Sequence, residues 1–387
     1  MRVLFITKQQ YMGKDLLADR FGRFHEIPRV LVQLGHEVHG VCLRYRPDTT
    51  PTAFTSARDF VAWSSFSLGG DLPFGFVRHY ARLLKIARRI RPDIVVGASD
   101  CFHIIMASLL ATKLGVPYLV DLYDNFEAYR ATRIPGLRQW YRNAVSKASA
   151  VSVVSDTLLA KITSEYRPVG IVHTVGNAVA PEFFYVGEKI TARRSLGLPE
   201  IGPLIGSAGA LTRNRDIAIL YRAFERVKSI DPRVRLVLAG RTDKSLKPQA
   251  SGHTFYLGEL PQERVGDLFR ALDVGIVCNR DDRFGRYCFP QKLFEMLACK
   301  LPIVAADVGA THNLLRDSKA CLYQPSSEVS LADAICAQLG GGCLPALPIP
   351  TWNDRGLEFV GLLEAAVSPT AKPLNRCGVV NLMTERV

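Results

Sequence analysis

Residues 273–307 read DVGIVCNRDDRFGRYCFPQKLFEMLACKLPIVAAD. Positions 273–278 form a short apolar run of the kind shown by a buried strand. A polar loop follows, carrying Gly285 and three arginines, Arg280, Arg283 and Arg286. Pro290 then opens a helix, because a proline lacking an N–H suits the first helical turn. Leu293, Met296 and Leu297 recur at helical spacing and give that helix a core face, while Gln291, Lys292 and Glu295 lie on another side. Residues 301–305 make the next strand. The order strand, basic loop, short helix, strand is that of a parallel α/β sheet, in which ligands bind beyond the carboxyl ends of the strands. A helix start attracts anions through its free amides and its dipole. With Lys292 on that start and arginines before it, the stretch suits a phosphorylated ligand. Glu295, one turn further in, suits the hydroxyls of a sugar or ribose. The plainer reading is an amphipathic helix between two strands with Glu295 in solvent.

The segment 289–307, FPQKLFEMLACKLPIVAAD, resembles the nucleotide-sugar signature of family 4 glycosyltransferases, retaining enzymes of the GT-B fold. The usual signature has two glutamates eight positions apart. Glu295 matches the second, which the resemblance assigns to the nucleotide ribose, and Tyr287 stands where the first would be. The variant P-x-K-L-F-E of bacterial polysaccharide-assembly members fits better. The resemblance places the donor along Tyr287, Phe289, Pro290, Lys292, Leu293 and Glu295. It implies two Rossmann-like parallel-sheet domains facing across a cleft.

Composition agrees with a globular chain of two or three domains. There are 387 residues, 48% hydrophobic and 22% charged, enough apolar material for sizeable cores. Nine cysteines occur as singles with no C-x-x-C pair, which argues for a reducing compartment and against a disulfide framework or zinc site. Residues 1–7 read as a first strand rather than a signal peptide, since Lys8-Gln9-Gln10 follows at once. No run approaches the roughly 20 apolar residues of a membrane-spanning helix. The expected location is cytoplasmic, with a peripheral position on the inner face of the membrane as its extension. Net charge is +13, of which +9 falls on residues 1–180, and such an excess implies an acidic partner.

Along the chain, 2–7 (RVLFIT) is strand one, and a polar loop with Gly13 and Gly22 leads to a helix ended by Gly35. Residues 27–38, IPRVLVQLGHEV, resemble the family's opening L-A-x-x-L-x-x-x-G-H-E-V. By that resemblance the glycine loop faces donor phosphates and acceptor, with Gly13 and Arg23 as candidates, although Gly13 also suits an ordinary turn. Residues 47–75 look irregular. In 76–91, Leu83, Ala87 and Ile90 form an apolar stripe and Arg78, Arg82, Lys85 and Arg89 a basic one. Such a helix is either a solvated surface helix or a membrane-surface helix. His103, in the loop after the strand at 93–96, is read as structural. Strand 117–122 ends in Tyr123-Asp124. The family often has histidine and then an acidic residue here, near the donor sugar, so Tyr123 stands at the histidine position and Asp124 keeps the acid. Asp124 could equally cap the following segment.

Residues 176–179, GNAV, resemble the family's P-N-G-V-D turn at the end of the first domain. The expected layout is an acceptor-side domain at 1–180, a linker at 181–200 and a nucleotide-sugar domain at 201–350. A terminal helix at 351–367 returns toward the first domain, and a flexible tail occupies 368–387. In the second domain, Gly209-Ala210-Leu211-Thr212-Arg213-Asn214-Arg215 stands where the family has G-R-L-x-x-x-K. Ala210 replaces the arginine, Arg215 stands for the lysine, and Arg213 can supply the missing charge. A cation at a helix N-terminus is unfavourable unless an anion joins it.

A dinucleotide fingerprint, a P-loop and the nucleic-acid-binding signatures are all absent. The sequence therefore points to transfer of a sugar from a nucleotide-diphosphate sugar to an acceptor hydroxyl, with retention, on a lipid-linked or polysaccharide precursor. Asp124, Arg215 and Lys292 are the catalytic candidates. No D-x-D occurs, so no obligatory metal is expected, and no cofactor beyond the donor itself. A sugar-nucleotide epimerase on the same fold and a noncatalytic sugar-binding protein are the alternatives.

Overall fold

The computed structural model describes residues 1–11, 13–45, 53–54, 61–69, 74–248 and 251–368. The chain divides into two compact units. One runs from Met1 to Val175 and includes the segment from Asn353 onward; the other is Gly176–Trp352.

The first unit is built on an eight-stranded sheet. Its order across the sheet is Ile171–Thr174, Ala150–Val153, Tyr118–Leu122, Ile94–Ala98, Arg2–Lys8, Glu37–Arg44, Ala62–Ser67 and Ala53–Phe54. All neighbours are parallel except the last pair. Val3, Leu4, Phe5 and Ile6 have no solvent exposure, as expected for a parallel strand covered on both faces. The strand order reverses beside Arg2–Lys8, which pairs with the next strand on one side and with Ile94–Ala98 on the other. That reversal is the switch point at which open α/β sheets bind ligands.

The strand Ala62–Ser67 lies inside the stretch expected to be irregular, much of which is outside the described residues. It pairs with Glu37–Arg44 in the register His39 to Ala62 through Arg44 to Ser67. Its sequence, AWSSFS, lacks the branched residues that mark strands. Trp63 instead packs against the bare backbone of Gly40, where a Cβ would strike its ring. Buried Ser65 donates from Oγ to Gln9 Oε1, so the serine is satisfied in the core.

Arg23 opens the helix Arg23–Gln33 and is fully buried. Its Nε and Nη2 donate to the two Asp121 carboxylate oxygens at 2.8 and 2.7 Å. Nη2 also reaches Ser152 Oγ at 2.8 Å, and Nη1 reaches the Val175 carbonyl at 2.5 Å. One guanidinium thus ties the helix start to two strands and to the residue after a third. The helix Trp352–Val367 belongs to this unit from Asn353, with Gly356 so close to Val30 that a Cβ would collide with it.

The second unit has a six-stranded parallel sheet. Its order is Thr254–Tyr256, Arg235–Ala239, Leu204–Ala208, Val274–Val277, Ile303–Ala306 and Leu322–Tyr323. Side chains alternate between its faces. Ile205, Leu236, Leu238, Ile276 and Val304 pack with Leu220 and Phe224 of the helix Ile217–Ile230 and Leu331 of the helix Glu328–Leu339. Leu204, Val237, Val277, Ile303 and Ala305 pack with Leu268 and Phe269 of the helix Gln262–Ala271 and with Leu293 and Met296 of the helix Gln291–Ala298. The order reverses between Leu204–Ala208 and Val274–Val277, the second switch point.

Removing one partner of a buried ion pair strands the other charge, at a cost of about 3–5 kcal/mol. Arg23→Met is therefore expected to destabilise the first unit by about that much. Arg23→Met with Asp121→Leu should recover a large part of the loss. Urea unfolding of the three proteins measures both effects.

Candidate functional site

The site in the second unit forms at its switch point. Gly209 follows the strand Leu204–Ala208 and Cys278-Asn279 follow Val274–Val277, so both lie at carboxyl ends. Gly209 has φ +104°, open to glycine, and its bare Cα faces Lys292, whose Nζ would lie 3.4 Å from a Cβ there. Gly240, φ +124°, packs in turn against the Gly209 carbonyl, which a Cβ would strike. Two glycines thus let the ends of Leu204–Ala208 and Arg235–Ala239 close up behind the lysine.

Lys292 and Glu295 sit three apart on the helix Gln291–Ala298 and share a side, while Leu293, Met296 and Leu297 enter the core. Burial, with the Arg215 guanidinium nearby, pushes the Lys292 ammonium down to about 8; Cys278, Glu295 and Cys288 act in the opposite direction. Burial pushes the Glu295 carboxyl up to about 7, against the hydrogen bond from Gln291 Nε2 (3.0 Å) and the attraction of Lys292. Two groups of opposite sign are thus held with unusual titration near neutrality, as at sites awaiting a ligand.

Arg215 joins them from the single turn Arg213–Arg215. Its Nη1 donates to Asn279 Oδ1 at 3.3 Å and to Cys288 Sγ at 3.6 Å, and the guanidinium lies 4.6 Å from the Phe284 ring centroid. Asn279 Nδ2 also donates to the Gly285 carbonyl at 3.1 Å and to Cys288 Sγ at 3.3 Å. Asp282 Oδ1 closes the loop by accepting from the Phe284 and Gly285 amides. The polar loop before the helix is therefore a built cradle for Arg215. Asn279, Phe284 and Cys288 are site-shaping residues that the sequence reading did not single out. Of the three, only Asn279 carries a sequence signal, its position just after the strand Val274–Val277.

The other expected donor residues divide. Phe289 stacks on Phe294 with centroids 5.2 Å apart, and Pro290 precedes the helix at its cap. Tyr287 is partly exposed on the same loop. Leu293 has no exposure and belongs to the core, so its side chain offers nothing to a ligand. Arg213 is separated from Arg215: its side chain is exposed, and its backbone N–H is held by Asp243 Oδ2 at 3.0 Å.

In the first unit, Gly13 (φ +83°) lies at the tip of the small hairpin Gln10–Tyr11/Lys14–Asp15. Arg23, expected to face an acceptor, is instead sealed inside with Asp121, because its guanidinium supplies the buried hydrogen bonds described above. Tyr123 and Asp124 do lie at the carboxyl end of Tyr118–Leu122. Asp124 is buried and accepts from the Asn125 amide and the Tyr129 hydroxyl, both at 2.7 Å. His103 is buried against Asp100, its Nδ1 2.8 Å from Oδ1.

These two units correspond to known domains. Residues 23–178 match the family model described as glycosyl transferase 4-like domain, and residues 202–340 match glycosyl transferases group 1. The chain thus carries both glycosyltransferase family domains, in that order, on a GT-B fold. A D-inositol 3-phosphate glycosyltransferase of Stackebrandtia nassauensis is 27% identical over 229 residues, 51% of this chain and 51% of that protein. A Bacillus subtilis glycosyltransferase named for teichuronic acid biosynthesis is 26% identical over 237 residues, 59% of this chain and 57% of that one. The chain therefore matches only about half the length of these relatives. Among solved structures, sucrose-phosphate synthase from Thermosynechococcus elongatus superposes with a TM-score of 0.68 at 15% identity, covering 95% of this chain and 96% of that one. Anabaena HepE in complex with UDP gives 0.66 at 14% identity, covering 95% and 97%.

Gly240→Ala tests the glycine stack. Forcing a side chain into this backbone region costs about 1–3 kcal/mol and displaces the Gly209 carbonyl behind Lys292. A lowered urea midpoint for the second unit, with the first unit's transition unchanged, is the expected result.

Proposed function

We propose that this chain transfers a sugar from a nucleotide-diphosphate sugar to an acceptor hydroxyl, with retention at the anomeric carbon, and that the second unit holds the donor. The observation that carries this reading is the convergence of Lys292, Arg215 and Glu295 behind Gly209 at the second switch point. Two cations with no carboxylate ion pair among the described residues suit a diphosphate, and a buried carboxylate one helical turn away suits ribose hydroxyls. The structural neighbour HepE was solved in complex with UDP, which supports a nucleotide as the kind of ligand. As the donor bond breaks, negative charge collects on the leaving diphosphate. Arg215 and Lys292 stabilise that charge, an effect that often dominates catalysis. The reading asks for no metal, because these cations supply the charge. A panel of nucleotide sugars, assayed for nucleoside diphosphate release with a membrane extract as acceptor, tests it. Transfer to acceptor rather than release of a free epimer separates it from epimerase chemistry, and the anomeric configuration of the product by NMR tests retention.

The titration of the pair gives the pH dependence. Binding a diphosphate needs Lys292 charged, a state lost as pH rises through about 8. Accepting ribose hydroxyls from both oxygens needs Glu295 ionised, a state lost as pH falls through about 7. Nucleoside diphosphate affinity, measured by calorimetry, should therefore be greatest between these values and weaken on both sides. Lys292→Arg should remove the alkaline limb, since arginine stays charged, and Glu295→Gln the acidic one.

The acceptor reading rests on the first unit. The helix Phe74–Ile90 exposes Arg78, Arg82, Lys85, Arg88 and Arg89, and Phe74 and Val77 project beside them at 66% exposure each. Among the described residues, no helix is long and apolar enough to cross a membrane. We propose that this helix rests on an anionic membrane surface and that the acceptor is a lipid-linked or polysaccharide precursor. Each basic residue at such a surface contributes about 1 kcal/mol. The chain should sediment with anionic but not neutral vesicles. Salt should release it, because exposed charges are screened beyond about 10 Å at 0.1 M. Replacing Arg78, Arg82, Lys85 and Arg89 by Gln should abolish sedimentation without altering nucleoside diphosphate affinity.

A further inference from the structure

Three glycines follow the helix Glu328–Leu339 and turn the chain back over its end. Gly341 has φ +130°, a region open to glycine. Gly342 donates its N–H to the Gln338 carbonyl at 3.0 Å, and a Cβ on it would strike the Gln338 side-chain oxygen. The turn delivers Cys343 to Cys321, the last residue of the single turn Lys319–Cys321 before the edge strand Leu322–Tyr323. The Cys321 thiol donates to the Cys343 carbonyl at 3.5 Å and accepts from Gln338 Nε2 at 3.3 Å. Both cysteines lie within the second unit.

A buried cysteine alone is ordinary core packing. This one is covered by the backbone of a second cysteine, and the two differ in access. Cys321 has no solvent exposure, whereas Cys343 alone is exposed among the described cysteines. Residues 340–344 around it are exposed as well, so the loop can yield to the Cβ separation of about 3.5–4.5 Å that a bridge needs. Burial, with the Cys343 thiol beside it, pushes the Cys321 thiol up to about 11, against the hydrogen bond from Gln338. An oxidant therefore meets Cys343 first, and Cys321 follows as the slower partner, because the thiolate is the nucleophile.

We propose that Cys321 and Cys343 are a reversible disulfide site, closed by exchange with a small disulfide such as oxidised glutathione, and that closure fastens the segment 340–350 to the edge strand. The far end of that segment is already held, since the Val179 N–H donates to the Pro350 carbonyl at 3.0 Å. The exchange balances. The Cys343 thiolate attacks one sulfur of oxidised glutathione and expels one glutathione thiolate. The Cys321 thiolate then attacks the Cys343 sulfur and expels the second. The two protein thiols lose two electrons and two protons, and oxidised glutathione takes them up as two thiols. The inference stands apart from the glycosyltransferase reading.

The test treats the reduced full chain with oxidised glutathione, quenches with acid and maps the peptides without reduction. Cleavage after Lys319, Glu328 and Arg355 by trypsin and Glu-C together separates Cys321 from Cys343. The two peptides should be found joined in the wild type and in Cys336→Ser, which removes the other cysteine of the second peptide. Cys321→Ser should stop at a glutathione adduct on Cys343. Closure of the adduct should quicken about tenfold per pH unit between pH 7 and pH 9, as the Cys321 thiolate grows. Oxidation should raise the urea midpoint of the second unit in the wild type and leave it unchanged in Cys343→Ser, since a cross-link constrains the unfolded chain. If Cys321→Ser fails to fold, Cys343→Ser, altered at an exposed position, carries the comparison. A wild-type chain that stops at the Cys343 adduct at pH 9, or that joins Cys343 to Cys336 instead, would overturn the inference.

Discussion

A guanidinium with no solvent exposure holds the carboxyl edge of the first sheet together. Arg23 is the first residue of its helix, and its hydrogen bonds end on Asp121, Ser152 and Val175, which belong to or follow three successive strands. Removing an ion pair from water is costly unless nearly every donor is used. Here the carboxylate takes a two-point contact, and a hydroxyl and a carbonyl accept further bonds. The consequence is geometric. Asp121 is anchored inward, and the chain beyond it turns so that Tyr123 and Asp124 emerge at the edge. The polar edge of the first unit therefore lies beside a charge that has no solvent exposure.

The second unit solves the complementary problem. It keeps Lys292 and Arg215 near one another with no carboxylate ion pair to either among the described residues, a state that like-charge repulsion and desolvation both oppose. Packing imposes it. Leu293 and Met296 fix the rotation of the helix, Gly209 and Gly240 remove the side chains that would occupy the space, and Asn279, Cys288 and Phe284 support the arginine. The titration of Lys292 and Glu295 near neutrality reports that unrelieved desolvation. Binding an anion would relieve part of it, which is the physical basis of the donor site proposed above.

The sequence by itself determined the α/β class, both parallel sheets, the place of Lys292 and Glu295 on the helix that follows Val274–Val277 and that of Arg215 in the segment after Leu204–Ala208, because buried parallel strands and helix core faces leave periodic apolar patterns that local spacing reveals. Gly209 was legible for the same reason, lying directly after an apolar strand. Only the tertiary structure decided which polar residues point inward. Arg23 and Asp121 lie 98 positions apart, and nothing in either neighbourhood shows that they neutralise each other. The strand at Ala62–Ser67 was hidden because its pairing depends on a glycine in another strand and on Gln9, not on its own composition. Lys8 and Tyr123 lie 115 positions apart and meet only because the strand order reverses beside the first strand. A polar side chain finds its partner through the fold, whereas an apolar one needs only a face, and that difference separates what could be read along the chain from what could not.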